Sequence, residues 1–387
     1  MKSGQGLQTG YEIRCVHCRR PGPDELGARC GACGSMLDPD YPGARLHDAT
    51  SWLERYASVL PMGEGYDGTT PAEPTPLLRA PASGTGGLVL KDESANPTHS
   101  TKYRMAVVAV EHMRSLGVGS FVFSSTGNSA SAFAHVLVRH PDMHARYYWP
   151  CRCPLPRELV GNPQVEIVPV EDDGYAGAQR AARGDYSGGV SEGGFFNIGR
   201  REGLKVAYLE AFEQLGRLPS VIIQAISSGM GLWAARRAVT EFTRFWGDGT
   251  VPRLVGVQQA SCAPMVHAWD EGSPEILPRH VVHDPQGIAR AILLGDPTGS
   301  YPFVRQVVTE TGGTFVAVPD DAVLRAQHRL RNLVGIAACE SSATAMSAVD
   351  RLVATGTVGS SDEVLVMITG GERSAAALAT TSAEVPR

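Results

Sequence analysis

Short apolar runs rich in β-branched residues alternate with helical periodicity along most of this 387-residue chain, and that alternation constrains the fold more than any other feature. Residues 87–91, 120–124, 165–170, 221–225, 253–257, 314–318 and 363–368 read as strands. Residues 102–116, 130–138, 203–215, 232–245, 320–333 and 341–354 read as helices. Strands that are apolar on both faces and separated by helices build parallel sheets covered on both sides. The expected class is α/β, with two parallel-type sheets. A hydrophobic content of 43% supplies the core they need.

The net charge of −5 argues against a protein whose work is gripping nucleic acid, because counterion release needs clustered Lys and Arg. No apolar run approaches the roughly 20 residues that span a bilayer, and the first ten residues are polar. The expectation is a cytoplasmic protein with neither nucleic acid nor membrane as partner. Thiols stay reduced in that compartment, so the eight cysteines read as metal ligands, catalytic groups or buried small residues. Cys15-x-x-Cys18 and Cys30-x-x-Cys33 are two knuckles that can close a tetrahedral thiolate site around zinc. Such a site has no open coordination position, so its role is structural, and residues 1–45 read as a zinc-ribbon-like segment. His17, Cys151, Cys153, Cys262 and Cys339 take the plain reading of exposed or buried groups.

Ligands of open α/β sheets bind beyond the carboxyl ends of the strands, and three such ends here carry unusual residues. Ser124-Ser-Thr-Gly-Asn-Ser129 can present several backbone N–H groups to an anion, although Ser, Thr and Asn are also ordinary helix caps. Ile226-Ser-Ser-Gly-Met-Gly231 offers glycines that admit a phosphate to a helix N-terminus. Its Gly229-x-Gly231-x-x-Ala234 pattern also has the shape of a dinucleotide fingerprint, but Gln258 and Gln259 stand where a nicotinamide site wants a carboxylate. Thr369-Gly370-Gly371 places a hydroxyl at the mouth of the sheet. Lys102 opens a helix just after Asn96-Pro97-Thr98. A desolvated lysine with a lowered pKa is the residue that bonds covalently to aldehydes. A phosphate cradle, such a lysine and a hydroxyl for a ring nitrogen together specify pyridoxal phosphate.

These residues resemble the threonine synthase and cysteate synthase branch of fold-type II pyridoxal-phosphate enzymes. The likeness runs from the cysteine pairs and Asp38-Pro-Asp-Tyr41 through Thr75-Pro76-Leu77 and Lys91-Asp-Glu-Ser-Ala-Asn-Pro-Thr98. It continues through Ser125-Thr-Gly-Asn128, Asn197-Ile-Gly-Arg200, Glu340-Ser-Ser-Ala343 and Thr369-Gly370. Asn197–Gly203, Ser228–Gly231, and Ala268–Gly272 leading to Ile276-Leu-Pro278 look closer to cysteate synthase, which exchanges the phosphate of O-phosphoserine for sulfite.

The resemblance implies a large cofactor-binding domain of residues 46–105 and 206–387, and a smaller mobile domain, 106–205, that closes over the substrate. It implies that Lys102 holds the cofactor and moves the substrate protons. Asn128 would bond the ring hydroxyl, Ser228, Gly229, Met230 and Gly231 would hold the cofactor phosphate, and Thr369 would face the ring nitrogen. Ser125, Thr126, Gly127 and Ser129 would bind the substrate carboxylate, and Arg200 and Lys205 a substrate phosphate. A homodimer is implied as well. The expected activity is elimination and replacement on an O-phosphorylated L-amino acid, with β-replacement on O-phosphoserine ahead of the threonine synthase reaction. A zinc-ribbon adaptor without activity and a nicotinamide oxidoreductase are the remoter alternatives.

The chain departs from the family pattern in two places that are expected to lie at the substrate end. Thr101-Lys102-Tyr103-Arg104 stands where the family has Phe-Lys-Asp-Arg, and Leu204 and Val206 replace Gln and Thr beside Lys205. His99 stands where the family has Gly.

Overall fold

The computed structural model describes residues 10–63, 65–66, 68–171, 174–185 and 189–373. The chain begins with a two-stranded antiparallel ribbon, β1 (Glu12–Cys15) and β2 (Leu37–Asp40), in which Cys15 lies opposite Leu37. A short helix follows, α1 (Trp52–Arg55), and then the antiparallel pair β3 (Leu77–Ala80) and β4 (Gly87–Asp92). Next come α2 (Lys102–Ser115), β5 (Ser120–Ser124), α3 (Asn128–Leu137), β6 (His144–Pro150), β7 (Val165–Val170), α4 (Gly174–Arg183) and β8 (Val190–Ser191). The rest of the chain runs α5 (Ile198–Leu215), β9 (Val221–Ala225), α6 (Met230–Trp246), β10 (Arg253–Gln259), α7 (Pro264–Asp270), α8 (Tyr301–Glu310), β11 (Thr314–Val318), α9 (Asp320–Val334), α10 (Glu340–Ala354) and β12 (Glu363–Ile368).

The strands form two larger sheets. One has six strands in the order β11-β10-β9-β12-β4-β3, parallel except for β3 at its edge. The other has four parallel strands in the order β7-β6-β5-β8. All five residues of β9 are buried, as expected of a central strand covered on both faces.

The expected α/β architecture with two parallel-type sheets is what the chain adopts. β6 was not among the expected strands, although Ala145, Tyr147 and Trp149 alternate inward along it. Its polar outward residues and terminal proline mask a period of two. The helices α4, α7 and α8 were not expected either. α5 begins at Ile198 rather than at residue 203, because the Asn197 side chain accepts from the Arg200 amide and caps it.

α2 and α5 lie against each other with two glycines at the contact. A Cβ on Gly203 would stand 2.5 Å from the Arg104 carbonyl oxygen, and one on Gly199 would stand 2.8 Å from Ala109 Cα. Only glycine permits that approach, which sets the helix carrying Lys102 beside the helix carrying Arg200. No described helix is long and apolar enough to cross a membrane.

Candidate active site

Lys102 is the first residue of α2, and its position is set from both sides. The Thr101 amide donates to the Thr369 carbonyl at 2.9 Å, and Ser100 bridges Gly370. Lys102, Asn128, Ser228, Gly229, Met230, Gly231 and Thr369, drawn from four separate stretches of the chain, line one cavity. That cavity encloses about 570 Å³ of space, its open mouth included. Desolvation, aided by the nearby Arg200 charge, lowers the Lys102 amine from 10.5 to about 8.

The wall opposite is the turn from β9 into α6. Gly229 caps α6 in the left-handed region, at φ +77°. A Cβ there would lie 2.6 Å from the Val304 side chain, and one on Gly231 would lie 2.0 Å from Gln224 Nε2. Gly229 is thus favoured by the turn and by packing, and Gly231 by the Gln224 side chain that lies against it. Gln224, the one polar residue of β9, turns its side chain across the loop. Its Oε1 and the Ser100 hydroxyl have no hydrogen-bond partner among the described residues. Sequence reasoning missed both, although a Gln inside Val-Ile-Ile-Gln-Ala is itself a signal. Gln258 and Gln259 serve structure: Gln258 Oε1 accepts from the amides of Met265 and Val266, and Gln259 Oε1 from that of Ala289.

The turn from β5 into α3 holds Ser125, Thr126, Gly127, Asn128 and Ser129. Of these, Asn128 reaches the cavity lining. Gly127 has a φ of +134°, and its amide donates to Ser125 Oγ at 3.1 Å. The Tyr147 hydroxyl donates to the Ser125 carbonyl at 2.9 Å. The turn is thereby held by a side chain of β6 that sequence reasoning did not single out.

The two basic residues expected at a substrate phosphate part company. Arg200 pairs through Nη1 with Glu192, and its Nε has no hydrogen-bond partner among the described residues. Burial lowers its guanidinium to about 10. Lys205 is elsewhere, with its ammonium fully buried. It donates to the Val59 carbonyl at 2.6 Å and to Glu241 at 2.7 Å, and it pairs with Glu202. The expectation of Lys205 at a substrate phosphate is therefore corrected, since its donors are spent inside the protein. Tyr103 is corrected too. It is buried, donates to the Pro71 carbonyl at 2.7 Å and packs edge-on to His135, so its substitution for Asp is not a change at the substrate end. Leu204 does line the cavity, whereas Val206 is buried in the core. His99 is exposed and holds a φ of +55°, which accounts for glycine at this position in the family pattern.

The sulfurs of Cys15, Cys18, Cys30 and Cys33 all lie within 4.8 Å of one another, three of the pairs at 3.5–3.7 Å. Tetrahedral bonds of roughly 2.3 Å to zinc require edges of about 3.8 Å. Although burial opposes it, the amides of Cys18 and His17 bring the Cys15 thiol down to about 6, favouring the thiolate that a metal needs. The donor set fits a zinc ion. At the cavity, the desolvated amine, the glycine turn and the orphaned polar atoms fit an aldehyde that carries a ring and a phosphate.

Residues 69–370 match the family described as pyridoxal-phosphate dependent enzyme. The threonine synthase of Methanosarcina acetivorans is 27% identical over 386 residues, covering 93% of this chain and 91% of that protein. The cysteate synthase of Methanoregula boonei is 28% identical over 389 residues, covering 93% and 89%. Among solved structures, a fungal L-serine ammonia-lyase from Rhizomucor miehei matches with a TM-score of 0.63 at 17% identity, covering 79% of this chain and 94% of that one. The diaminopropionate ammonia lyase of Escherichia coli matches at 0.62 and 16%, covering 78% and 85%.

Proposed function

Because this chain belongs to the pyridoxal-phosphate dependent enzymes, we propose that it expels a distal leaving group from an activated L-amino acid and adds a nucleophile in its place. The observation that carries this reading is the desolvated Lys102 amine in one cavity with the glycine turn 226–231. O-phosphoserine is the substrate of first choice and β-replacement the reaction, as in the cysteate synthases to which the chain is similar. The threonine synthase reaction on O-phosphohomoserine is the second version.

When bound, pyridoxal phosphate supplies an electron sink for charge at the substrate α-carbon. Lys102 would hold the aldehyde end, and its lowered pKa suits its Nζ to carry protons near neutral pH. Ser228, Gly229, Met230 and Gly231 would receive the cofactor phosphate at the start of α6, where unpaired amides favour an anion. Asn128 would bond the ring hydroxyl. Thr369 would offer the ring nitrogen a neutral hydroxyl, which would not keep that nitrogen protonated and so would favour loss of a leaving group over transamination. Ser125, Thr126, Gly127 and Ser129 receive the substrate carboxylate. Arg200 directs its free Nε at the distal anion, while Leu204 closes that end against water.

In this reading residues 106–205, which contain the four-stranded sheet, form the smaller domain that closes over the substrate held on 46–105 and 206–387. The four cysteines hold a structural zinc ion. The enzyme works in the cytoplasm as a homodimer on a free amino acid, and gel filtration checks the dimer.

The deciding experiment offers the purified holoenzyme O-phosphoserine and O-phosphohomoserine in parallel, each with sulfite, a thiol or water alone, and measures phosphate release and product. Phosphate released from O-phosphoserine with a new β-substituent is the expected result. Release from neither substrate overturns the reading. Arg200→Ala should raise KM for the phosphorylated substrate roughly tenfold or more, the scale of a lost charged hydrogen bond.

A further inference from the structure

We propose that the four-cysteine ribbon positions the anion-binding end of the cavity, with Arg29 and Asp38 acting on Arg200 through Phe196 and Arg201. The proposal rests on the reading of Arg200 as the residue that meets the substrate's distal anion.

The segment that delivers Arg200 has little structure of its own. β8 is two residues long, Gly193 and Gly194 both have positive φ, and a single turn, Gly194–Phe196, leads into α5. Phe195 and Phe196 pack on Phe303 of α8, and the remaining supports come from the ribbon. The Arg29 guanidinium lies over the Phe196 ring, 3.5 Å from its centroid. Gly27 abuts Gly193, where an added Cβ would stand 3.3 Å from the Gly27 nitrogen. Arg201, with no exposed side-chain surface, donates to Asp38 Oδ1 at 2.6 and 3.0 Å and to the Leu37 carbonyl at 2.5 Å. Its third nitrogen returns to the Phe195 carbonyl at 2.8 Å. Asp38 is itself held by Trp233 Nε1, which donates to Oδ2 at 2.7 Å.

Successive residues of a helix point about 100° apart. Gripping Arg201 on the ribbon side therefore sets the rotation of the first turn of α5, and with it the direction in which Arg200 leaves the helix toward Glu192. Asn197 completes the link by donating to the Glu192 carbonyl at 2.7 Å and accepting from the Arg200 amide at 3.0 Å. Residues 10–45 are too few to build a core of their own; Ile13, Met36, Leu37 and Tyr41 are buried in the main core, and the thiol cluster ties the two knuckles together on top of it.

Two variants test this on the holoenzyme. Arg29→Ala removes an exposed side chain that touches neither the thiols nor Lys102, so fold, metal content and the absorbance of lysine-bound cofactor should persist. KM for the phosphorylated substrate should rise roughly two- to fivefold, the scale of one cation–π contact, with kcat unchanged and Arg29→Lys restoring most of the loss. Asp38→Asn should raise hydrogen exchange at residues 192–203 while leaving 225–232 protected. Exchange confined to residues 10–45, or raised evenly along the chain, overturns the proposal, as does an unmoved KM in Arg29→Ala. If neither phosphorylated amino acid is turned over, the substrate reading fails while the exchange measurement still decides this one.

Discussion

The hydroxyl of Ser342 accepts a hydrogen bond from the Gly370 amide at 2.9 Å and donates one to the Gly370 carbonyl at 2.7 Å. One side chain on α10 thereby satisfies both backbone groups of the residue that follows Thr369. The Cys339 amide adds a second bond to the same carbonyl, and the Gly371 amide reaches the His99 carbonyl at 2.9 Å. The turn that presents Thr369 is thus bolted both to α10 and to the segment leading into Lys102. Ser342→Ala leaves the buried Gly370 amide without this partner, which costs about 1–3 kcal/mol. Urea unfolding should show that loss, and the variant should bind pyridoxal phosphate more weakly than the parent.

Lys102 makes the stability of the cofactor-free protein depend on pH. Its folded pKa of about 8 lies below the unfolded value of 10.5. Below pH 8 both states carry the proton and the folded protein bears the full cost of a buried ammonium. Between pH 8 and 10.5 the unfolded state binds more protons, so stability rises with pH. At about 1.4 kcal/mol per unit, the cost is roughly 3–3.5 kcal/mol. Lys102→Met should therefore unfold at higher urea than the parent at pH 7, and the gap should narrow toward pH 10.5. A gap that is constant with pH contradicts the desolvated amine. The rate at which cofactor-free protein recaptures pyridoxal phosphate should rise with pH around a midpoint near 8, and the variant should capture none covalently.

Much of this site was legible in the residues because strand ends are where the α/β fold collects its chemistry. Lys102, Asn128, Thr369 and the 226–231 turn each follow a strand or open a helix, and the fold brings them to one cavity. Side-chain direction was not legible. Lys205 lies one turn from Arg201 on α5, yet it faces Glu202 and Glu241 in the interior. Tyr103 adjoins Lys102 in the chain but lies beneath α3, because neighbours on a helix point to different faces. Glu192, the partner of Arg200, stands in a loop with no periodicity to flag it. β6 was hidden by its own composition, although its alternation was present.

The thiol cluster gives a direct analytical expectation. Purified protein should hold about one zinc ion per chain, and Cys33→Ser should lose it. Cys33 is the exposed member of the four, so replacing it disturbs little packing. The change should be read as new protease cleavage within residues 10–45, because a segment this short unfolds without its metal. A metal-free protein with an uncleaved ribbon would show that the four sulfurs are only neighbours.

Beneath α2 lies a charge cluster that fixes the helix from the side away from the cavity. Arg104 has no exposed side-chain surface. It donates to Glu93 at 2.8 and 3.0 Å, to Glu210 at 2.8 and 3.1 Å and to Thr75 Oγ1 at 2.9 Å. Lys91 Nζ adds its own bonds to Glu210 and to the Thr75 carbonyl, so two cations meet two carboxylates. Removing one member of such a buried set strands its partners, at about 3–5 kcal/mol. Arg104→Met should lose that much at pH 7, and the loss should reach Lys102 as weakened cofactor binding, since both residues share the first turn of α2. The sign with pH distinguishes this from a packing defect. Burial pushes the Glu210 carboxylate up, but Arg104 and Lys91 together hold it below its usual 4.5 in the parent. The parent therefore keeps the stability of this pair above pH 4.5 and loses it as the pH falls through the lowered value. In Arg104→Met the weakly paired Glu210 carboxyl protonates more readily, which relieves its burial cost. The stability difference between parent and variant should shrink as the pH is lowered toward 4, and urea midpoints measured from pH 7 to 4 check it.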